Sequence, residues 1–207
     1  MPMEHRPVKN TNPLFSAVQS AGMSIISDLM IGMPGHVIAF NADTQRAQVE
    51  CGIQRQMPDG TLETLPLLVN VPVRFSGSPE WAVFHELPAG TEGYIHFSQR
   101  SVDAWLDMGG PVQPVGPEMF SASDAFFSPG YRSAKTAIPG LPSSGIGMSN
   151  RDGSVRFHLT DGGIALTCAG QTLELTASGL THNGINIGSD HIHSGVEKGG
   201  SNTNGPQ

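Results

Sequence analysis

The chain of 207 residues contains 26 Gly and 16 Pro, whereas charged residues make up only 14% of it and aromatic residues 6%. This composition argues against a coiled coil and favours many short strands joined by tight turns. The net charge is −7 and no basic cluster occurs, which argues against binding to nucleic acid or, by charge alone, to an anionic membrane. Cys51 and Cys168 lie far apart, and we expect both to be small buried residues.

Residues 1–30 are predicted to be an N-terminal tail followed by a docking helix. Asn12-Pro13 is typical of a helix start, and no stretch of the chain approaches the roughly 18 apolar residues of a membrane span. Apolar residues then recur at helical spacing, namely Phe15, Val18, Gly22, Ile25, Ile26 and Leu29. We expect this helix to pack on its own domain or on a neighbouring protein.

Residues 31–118 are predicted to form a small barrel. "GHVIAFNADTQRAQVECGI" is typical of a hairpin, and Asp59-Gly60 is a strong signal for a second one. "AGTEGYIHFSQRSVDAWLDMGG" predicts a strand followed by a short helical turn. Short strands at this density suit a closed barrel of the OB type, in which we expect Trp81 and Trp105 to pack. Residues 119–150, rich in Pro, Gly and Ser, are predicted to be a connector.

Residues 151–188 are predicted to form a shaft of short strands. Their apolar alternation starts at Val155, Ile164 and Leu173, nine residues apart. One chain supplies a single apolar stripe with no second layer to bury it. We therefore expect three copies of the chain to form an intertwined trimeric β-helix or β-prism, although a sheet packed on the barrel stays possible. His158 and His182 are expected to face outward on this shaft.

Residues 189–207 are predicted to be a tip that binds a metal ion. In "SDHIHSG", His191 and His193 would point to the same side of an extended strand. One chain offers too few ligands for a stable site, whereas three chains would bring six imidazole nitrogens to a threefold axis. Six imidazoles can form an octahedron, which suits Fe(II), Ni(II) or Co(II) better than Zn(II). Since histidine must be neutral to coordinate, the site should loosen in acid.

Two stretches resemble the central spike proteins of contractile-tailed phages. "LPAGTEGYIHFSQRSVDAWLDMGG", with the downstream "SASDAFFSPGYRS", resembles the OB-fold domain of that family. "SDHIHSGVEKGGSNTNGPQ" resembles the family's apex, which has the form HxHxxxV, then glycines, then Thr and Pro. The matching apex residues are His191, His193, Val196, Gly199, Gly200, Thr203 and Pro206.

The resemblance implies an all-β homotrimer with an OB-fold collar, a triple-stranded β-helical shaft and a metal-capped tip. One iron ion (Fe²⁺) per trimer would be held by the paired histidines of the three chains. It also implies a virion protein at the end of the tail tube. From the position and amphipathic pattern of the N-terminal helix, we expect the N-terminal region to contact baseplate hub or tail tube proteins. During sheath contraction the tip of the spike would be driven through the host outer membrane, a mechanical role without enzymatic activity.

Other functions fit the sequence less well. A metal-dependent hydrolase needs more ligands and an open coordination position, but no His follows His193. A cell-wall lytic enzyme needs paired carboxylates across a cleft, and no inserted domain of adequate length or nucleophile elbow is present. The tip of a related injection machine, such as a tailocin or a secretion system, shares the mechanism, and the sequence hardly separates it from a phage spike.

Overall fold

The structure, a computed structural model, describes residues 12–57, 59–192 and 195 and divides into two units, Met1–Thr136 and Ala137–Gln207. The helices are α1 (Pro13–Asp28) and α2 (Asp103–Met108). The strands of the first unit are β1 (Gly32–Asn41), β2 (Arg46–Cys51), β3 (Arg55–Gln56), β4 (Leu62–Glu63), β5 (Leu68–Pro72), β6 (Ser76–Gly77), β7 (Ala82–Val83), β8 (Glu92–Phe97) and β9 (Ala125–Pro129). Those of the second are β10 (Ile146–Ser149), β11 (Val155–Thr160), β12 (Gly163–Cys168), β13 (Gln171–Thr176), β14 (Gly179–His182) and β15 (Ile185–Asn186).

The first unit is a barrel of five strands. They lie in the order β5-β2-β1-β8-β9, and all neighbouring pairs are antiparallel. A parallel bridge between Val73 and Phe127 joins the two edges, and the Arg74 amide donates to the Phe127 carbonyl at 2.9 Å. A five-stranded sheet closed in this way is the arrangement of an OB fold. The predicted all-β class with an OB-like domain is therefore confirmed.

Alternating side chains of four strands fill the interior of the barrel. Val37, Val49, Ile95 and Phe127 are all 0% exposed. Because successive side chains of a strand point to opposite faces, closing the sheet turns one set inward and leaves the other in water. Asp124 is buried beside this core, and its carboxylate accepts a hydrogen bond from the Val102 amide at 3.0 Å. The barrel thus has a core supplied by one chain.

The two predicted hairpins of the barrel are confirmed. Between β1 and β2, the Asn41 side chain accepts hydrogen bonds from the amides of Asp43 and Thr44 at 2.9 and 3.2 Å. Between β3 and β4, the Asp59 carboxylate accepts from the Thr61 amide at 2.9 Å, and Gly60 has a φ of 86°. Glycine adopts this backbone conformation without steric cost, so the local sequence alone specifies the turn.

The sequence predicted that the barrel ends at residue 118. In the structure it continues to the end of β9 at Pro129. Strand β9 lies inside the predicted connector 119–150 and pairs with β8 from Gly93 opposite Pro129 to Phe97 opposite Ala125. Strand β10, in the same range, pairs with β11 in the second unit. Both strands are short and flanked by Pro, Gly and Ser, so the local composition is that of a connector and does not indicate strands. The segment between the two units' strands is therefore only 130–145.

Four side chains that we expected to be buried are at least partly exposed. Trp81 is 81% exposed in the turn between β6 and β7, while Trp105 is half exposed and meets Phe126 edge-on, with ring centroids 6.1 Å apart. Cys51 is half-buried and Cys168 is exposed, and both are free thiols. The expectation that the tryptophans pack in the barrel thus holds only for Trp105, through its ring contact.

Helix α1 forms where the sequence predicted it. The Asn12 side chain accepts hydrogen bonds from the Leu14 and Phe15 amides and caps the first turn. Residues 13 to 26 of this helix are exposed, apart from the half-buried Gly22. The helix therefore does not bury its apolar residues on its own domain, and packing on a neighbour stays a prediction. Among the described residues, no helix has both the length and the apolar character needed to cross a lipid bilayer.

The second unit contains one antiparallel sheet in which β10 to β15 follow one another in chain order. Two-residue turns join several strands. Ala169 and Gly170 have φ of 48° and 84°, and Asn183 and Gly184 have 49° and 77°, which is typical of turns that match the twist of a hairpin. The strands β11 to β14 begin eight residues apart. The predicted spacing of nine is wrong, because it was counted from the first apolar residue of each run, and Ile164 and Leu173 lie one and two residues after the strand starts at Gly163 and Gln171.

Candidate functional site

The strand register of the second unit places its apolar side chains on one side of the sheet, which we call the apolar face. Residues directly opposite each other in antiparallel strands point to the same side. Three rows of opposed residues cross this face. They are Ile146, Leu159, Ile164, Leu175 and Leu180; then Met148, Phe157, Leu166, Leu173, His182 and Ile185; and finally Val155, Cys168 and Gln171.

The opposite side of the sheet, which we call the polar face, carries charged and hydroxyl side chains. Its rows are Gly147, His158, Ala165, Glu174, Thr181 and Asn186, and then Ser149, Arg156, Thr167 and Thr172. The preceding segment of the same unit lies against this face, where the His158 Nε2 is 2.9 Å from the Ser144 carbonyl oxygen. The second unit thus covers part of its polar face.

His158 and His182 lie on opposite faces of the sheet. We expected both to face outward. His158 lies opposite Ala165 on the polar face, whereas His182 lies opposite Leu173 on the apolar face. His182 is exposed in a single chain, and both histidines could face outward only on a shaft that leaves the apolar face uncovered. The missed signal is Asn183-Gly184, a two-residue turn that places His182 directly opposite Ile185.

The apolar face is open to water in a single chain. Ile146 is 73% exposed, Met148 65% and Leu175 51%. None of the described side chains in the second unit is buried, in contrast to those of the barrel. A single sheet layer needs a second layer before its apolar side can stabilise it. A contiguous apolar surface of this kind typically marks an interface.

The residues after β15 form a hydrogen-bonded turn that leads to the predicted apex. The Asn186 side chain accepts from the Gly188 amide at 2.7 Å and donates to the Asp190 carboxylate at 3.0 Å. The hydrogen bond from Asn186 lowers the pKa of Asp190 below its usual value, and the nearby His191 contributes to the same shift. The His191 amide donates to the Gly188 carbonyl at 3.2 Å. Asn186 and Gly188 therefore position His191 at the end of the sheet.

A backbone carbonyl oxygen lies within hydrogen-bond distance of one ring nitrogen of His191. The Nδ1 atom lies 2.7 Å from the Gly188 carbonyl oxygen. Since a carbonyl only accepts hydrogen bonds, Nδ1 carries the proton in the neutral ring and Nε2 carries the lone pair. Metal-bound histidines typically use their second nitrogen in this way.

The rest of the predicted apex is not described. Within one chain, the described residues contain no group of three His, Cys, Asp or Glu side chains that could hold a metal ion. His193, Val196, Gly199, Gly200, Thr203 and Pro206 lie outside the described residues. The pairing of His191 with His193 therefore stays a prediction.

Two stretches of the chain match known families. Residues 33–130 match the family model described as phage protein Gp138 N-terminal domain, which spans the barrel from β1 to the end of β9. Residues 189–207 match the GpV Apex motif, which covers both predicted histidine ligands. No curated protein matches the chain. The Gp138 N-terminal domain and the GpV apex motif together fit a phage baseplate spike and place the chain at the virion tail tip, in a structural rather than an enzymatic role.

Proposed function

We propose that this protein is the homotrimeric central spike of a contractile phage tail, and that its metal-clamped tip pierces the host outer membrane. The bare apolar face of the second unit is the observation that carries this proposal. A sheet with a wide apolar side and no buried residue needs partners. Identical chains supply them in the most economical way, because each chain presents the same surface to its neighbours.

A prism of three sheets satisfies the second unit. With the apolar faces turned to a threefold axis, side chains such as Leu166 and Leu175 enter a shared core, and the polar faces meet water. Each fully buried side chain of this size contributes about 1.5–3 kcal/mol. Strands β10 to β15 already pair with one another within one chain. Over this range the proposal is therefore a prism of three separate sheets, which revises the expected intertwining of the chains.

The apex would join the three chain ends. His191 and His193 from three chains offer six imidazole nitrogens, which suit one octahedral Fe²⁺. The ion supplies the bonds that hold the three ends together, and this chain supplies a preset tautomer and a rigid turn. The hydrogen bond from the His191 ring to Gly188 supports this role, as does the match to the apex motif. Such a metal site would keep the three chain ends from separating at the tip, which would be the first part of the spike to meet the membrane.

Piercing requires stiffness and a narrow end, and it requires no bond-making step. A prism with a dry core resists bending, because its interior side chains cannot move apart without exposing apolar surface. The hydroxyl and charged side chains of the polar face keep the outside soluble. The energy for penetration would come from contraction of the tail sheath and be transmitted through the tube.

Helix α1 would attach the spike to hub or tube proteins. Leu14, Val18 and Ile25 are exposed on this helix, and Pro13–Ser27 carries no charged residue. Deleting residues 1–28 should leave the trimer intact and prevent incorporation of the protein into phage particles, as measured by complementation and particle composition. A deletion variant that loses the trimer, or that still enters particles, would contradict this role.

Native mass spectrometry of tag-free protein tests the trimer and the apex together. The expected result is three chains, with one iron that is lost in His191→Ala. Ile192→Ala, at the adjacent exposed residue, serves as the control and should keep the iron. A monomer would refute the trimer, and a wild-type trimer whose iron content equals that of His191→Ala would refute the clamp.

A further inference from the structure

His182 is the one imidazole on the apolar face among the described residues. It lies opposite Leu173 of β13 and Ile185 of β15, in the row that also contains Phe157 and Leu166. Its ring forms no hydrogen bond within the described part of the chain. Burying such a ring without a partner costs on the order of 1–3 kcal/mol. Its place in this row therefore calls for a ligand or partner from outside one chain.

The row of His182 is the central row of the apolar face. In β11 the residues on this face are Val155, Phe157 and Leu159, and Phe157 is the middle one. The row that runs from Phe157 through Leu166 to Leu173 therefore follows the centre of β11 to β13, and His182, the last residue of β14, continues this row beside the Asn183-Gly184 turn. In a triangular prism the centre of each face lies nearest the threefold axis, and the strand ends meet at the corners. Three copies of His182 would consequently converge at one level of that axis.

The backbone next to His182 is held firmly. The Asn183 amide donates to the Thr172 carbonyl at 2.9 Å, and its side-chain oxygen accepts from the Thr172 amide at 2.8 Å. The Asn183 side chain also donates to the Gln171 side-chain oxygen at 2.6 Å. These bonds keep the register of β13 and β14, so His182 cannot change faces without loss of strand pairing. A ligand carried by a rigid strand is well placed for a preorganised site.

We propose that the three copies of His182 form a second metal site inside the shaft. Three imidazole nitrogens around an axis, with one water or anion as the fourth ligand, suit a tetrahedral divalent ion such as Zn²⁺. Neutral rings fit this layer, because three imidazolium groups would repel one another in an apolar surrounding. The site rests on the proposed trimer, and it differs from the six-nitrogen apex in its ligand number and geometry.

Cobalt is the probe that separates the two sites. The experiment titrates Co²⁺ into the full-length His191→Ala trimer and follows visible absorption, which is intense for tetrahedral Co²⁺ and weak for octahedral Co²⁺. We expect one tetrahedral Co²⁺ per trimer. Adding His182→Leu to this variant should abolish the binding, whereas adding His158→Leu, the same change on the polar face, should preserve it. If His191→Ala fails to assemble, the wild type and His182→Leu are compared, and the tetrahedral Co²⁺ should disappear.

Thermal stability is a second readout, because the effect of His182→Leu on the Tm should depend on whether metal is present. Zn²⁺ should raise the Tm of the wild-type trimer but leave that of His182→Leu unchanged. Without metal, His182→Leu should be the more stable protein, because leucine completes an apolar row. A trimer that binds no tetrahedral Co²⁺, or a His182→Leu variant that keeps it, overturns the second site alone. A monomeric wild type overturns the proposed trimer and this site with it.

Discussion

The barrel and the sheet of the second unit are built from similar short strands, but apolar side chains are buried in the barrel and exposed in the second unit. In the barrel, Val37 and Ile95 are fully buried, because the sheet closes on itself and creates an inside. In the second unit, Ile146 and Leu175 alternate along strands in the same way and stay exposed. Alternation therefore specifies which side of a strand is apolar. Whether that side becomes a core depends on closure or on another chain.

The largest expected effect comes from a charge on the apolar face. Leu166→Asp would place three carboxylates near the proposed threefold axis, and we expect complete loss of the trimer. Ala165→Asp, one residue earlier on the polar face, is the matched control and should leave the trimer intact. Sedimentation velocity measures both. Equal behaviour of the two variants would show that the apolar face is not the interface.

A substitution in the barrel core should destabilise the barrel without dissociating the trimer. Ile95→Ala removes a fully buried side chain and should destabilise the barrel by about 2–5 kcal/mol while leaving the oligomeric state unchanged. Both tryptophans, Trp81 and Trp105, lie in the first unit, so denaturation followed by tryptophan fluorescence reports the barrel selectively. If Ile95→Ala dissociates the trimer, the barrel core and the interface are coupled.

Acid should open the apex before it unfolds the barrel. Coordination needs neutral histidine, so protons compete with the metal ion for the ring nitrogens as the pH falls. We expect iron release in acid with the barrel still folded, measured as metal content after desalting beside tryptophan fluorescence. His191→Ala should show no such metal step. Retention of iron down to the pH of barrel unfolding would argue against histidine ligands.

The smallest effect is expected at Glu92 of the barrel. Its carboxylate accepts hydrogen bonds from the Ser133 amide and the Thr136 hydroxyl, which hold the pKa of Glu92 below its usual value. A lowered folded-state pKa stabilises the barrel above the unfolded value of about 4.3, and this contribution is lost as the pH falls through the folded-state pKa. Glu92→Gln should therefore be slightly less stable than wild type at neutral pH.

The Glu92 difference should vanish once the pH is below the lowered pKa of Glu92, where both proteins carry an uncharged side chain at this position. Its size is small because water screens an exposed carboxylate. Glu80→Gln, at a carboxylate in the β6–β7 turn, is the control and should match the wild type at both pH values. A Glu92→Gln difference that persists unchanged in acid would show that packing, and not ionisation, is responsible.

Features that depend on a few neighbouring residues could be predicted from the sequence. Asn12-Pro13 marks the start of α1, and Asp59-Gly60 marks a hairpin, because capping and positive φ are local requirements. Strand β9 could not be delimited in this way. "AFFSP" is too short to show a period, and it becomes a strand because β8 and the closing bridge at Val73 supply partners from distant parts of the chain.

For the candidate site, the same division holds. The sequence alone predicted a pair of histidine ligands at the apex and contained the apolar alternation of the second unit, since both are patterns within a few residues. Only the tertiary structure decided that the Asn183-Gly184 turn puts His182 on the apolar face and that Asn186 and Gly188 orient His191. The physical reason is register, because a shift of one residue would move every side chain of a strand to the other face.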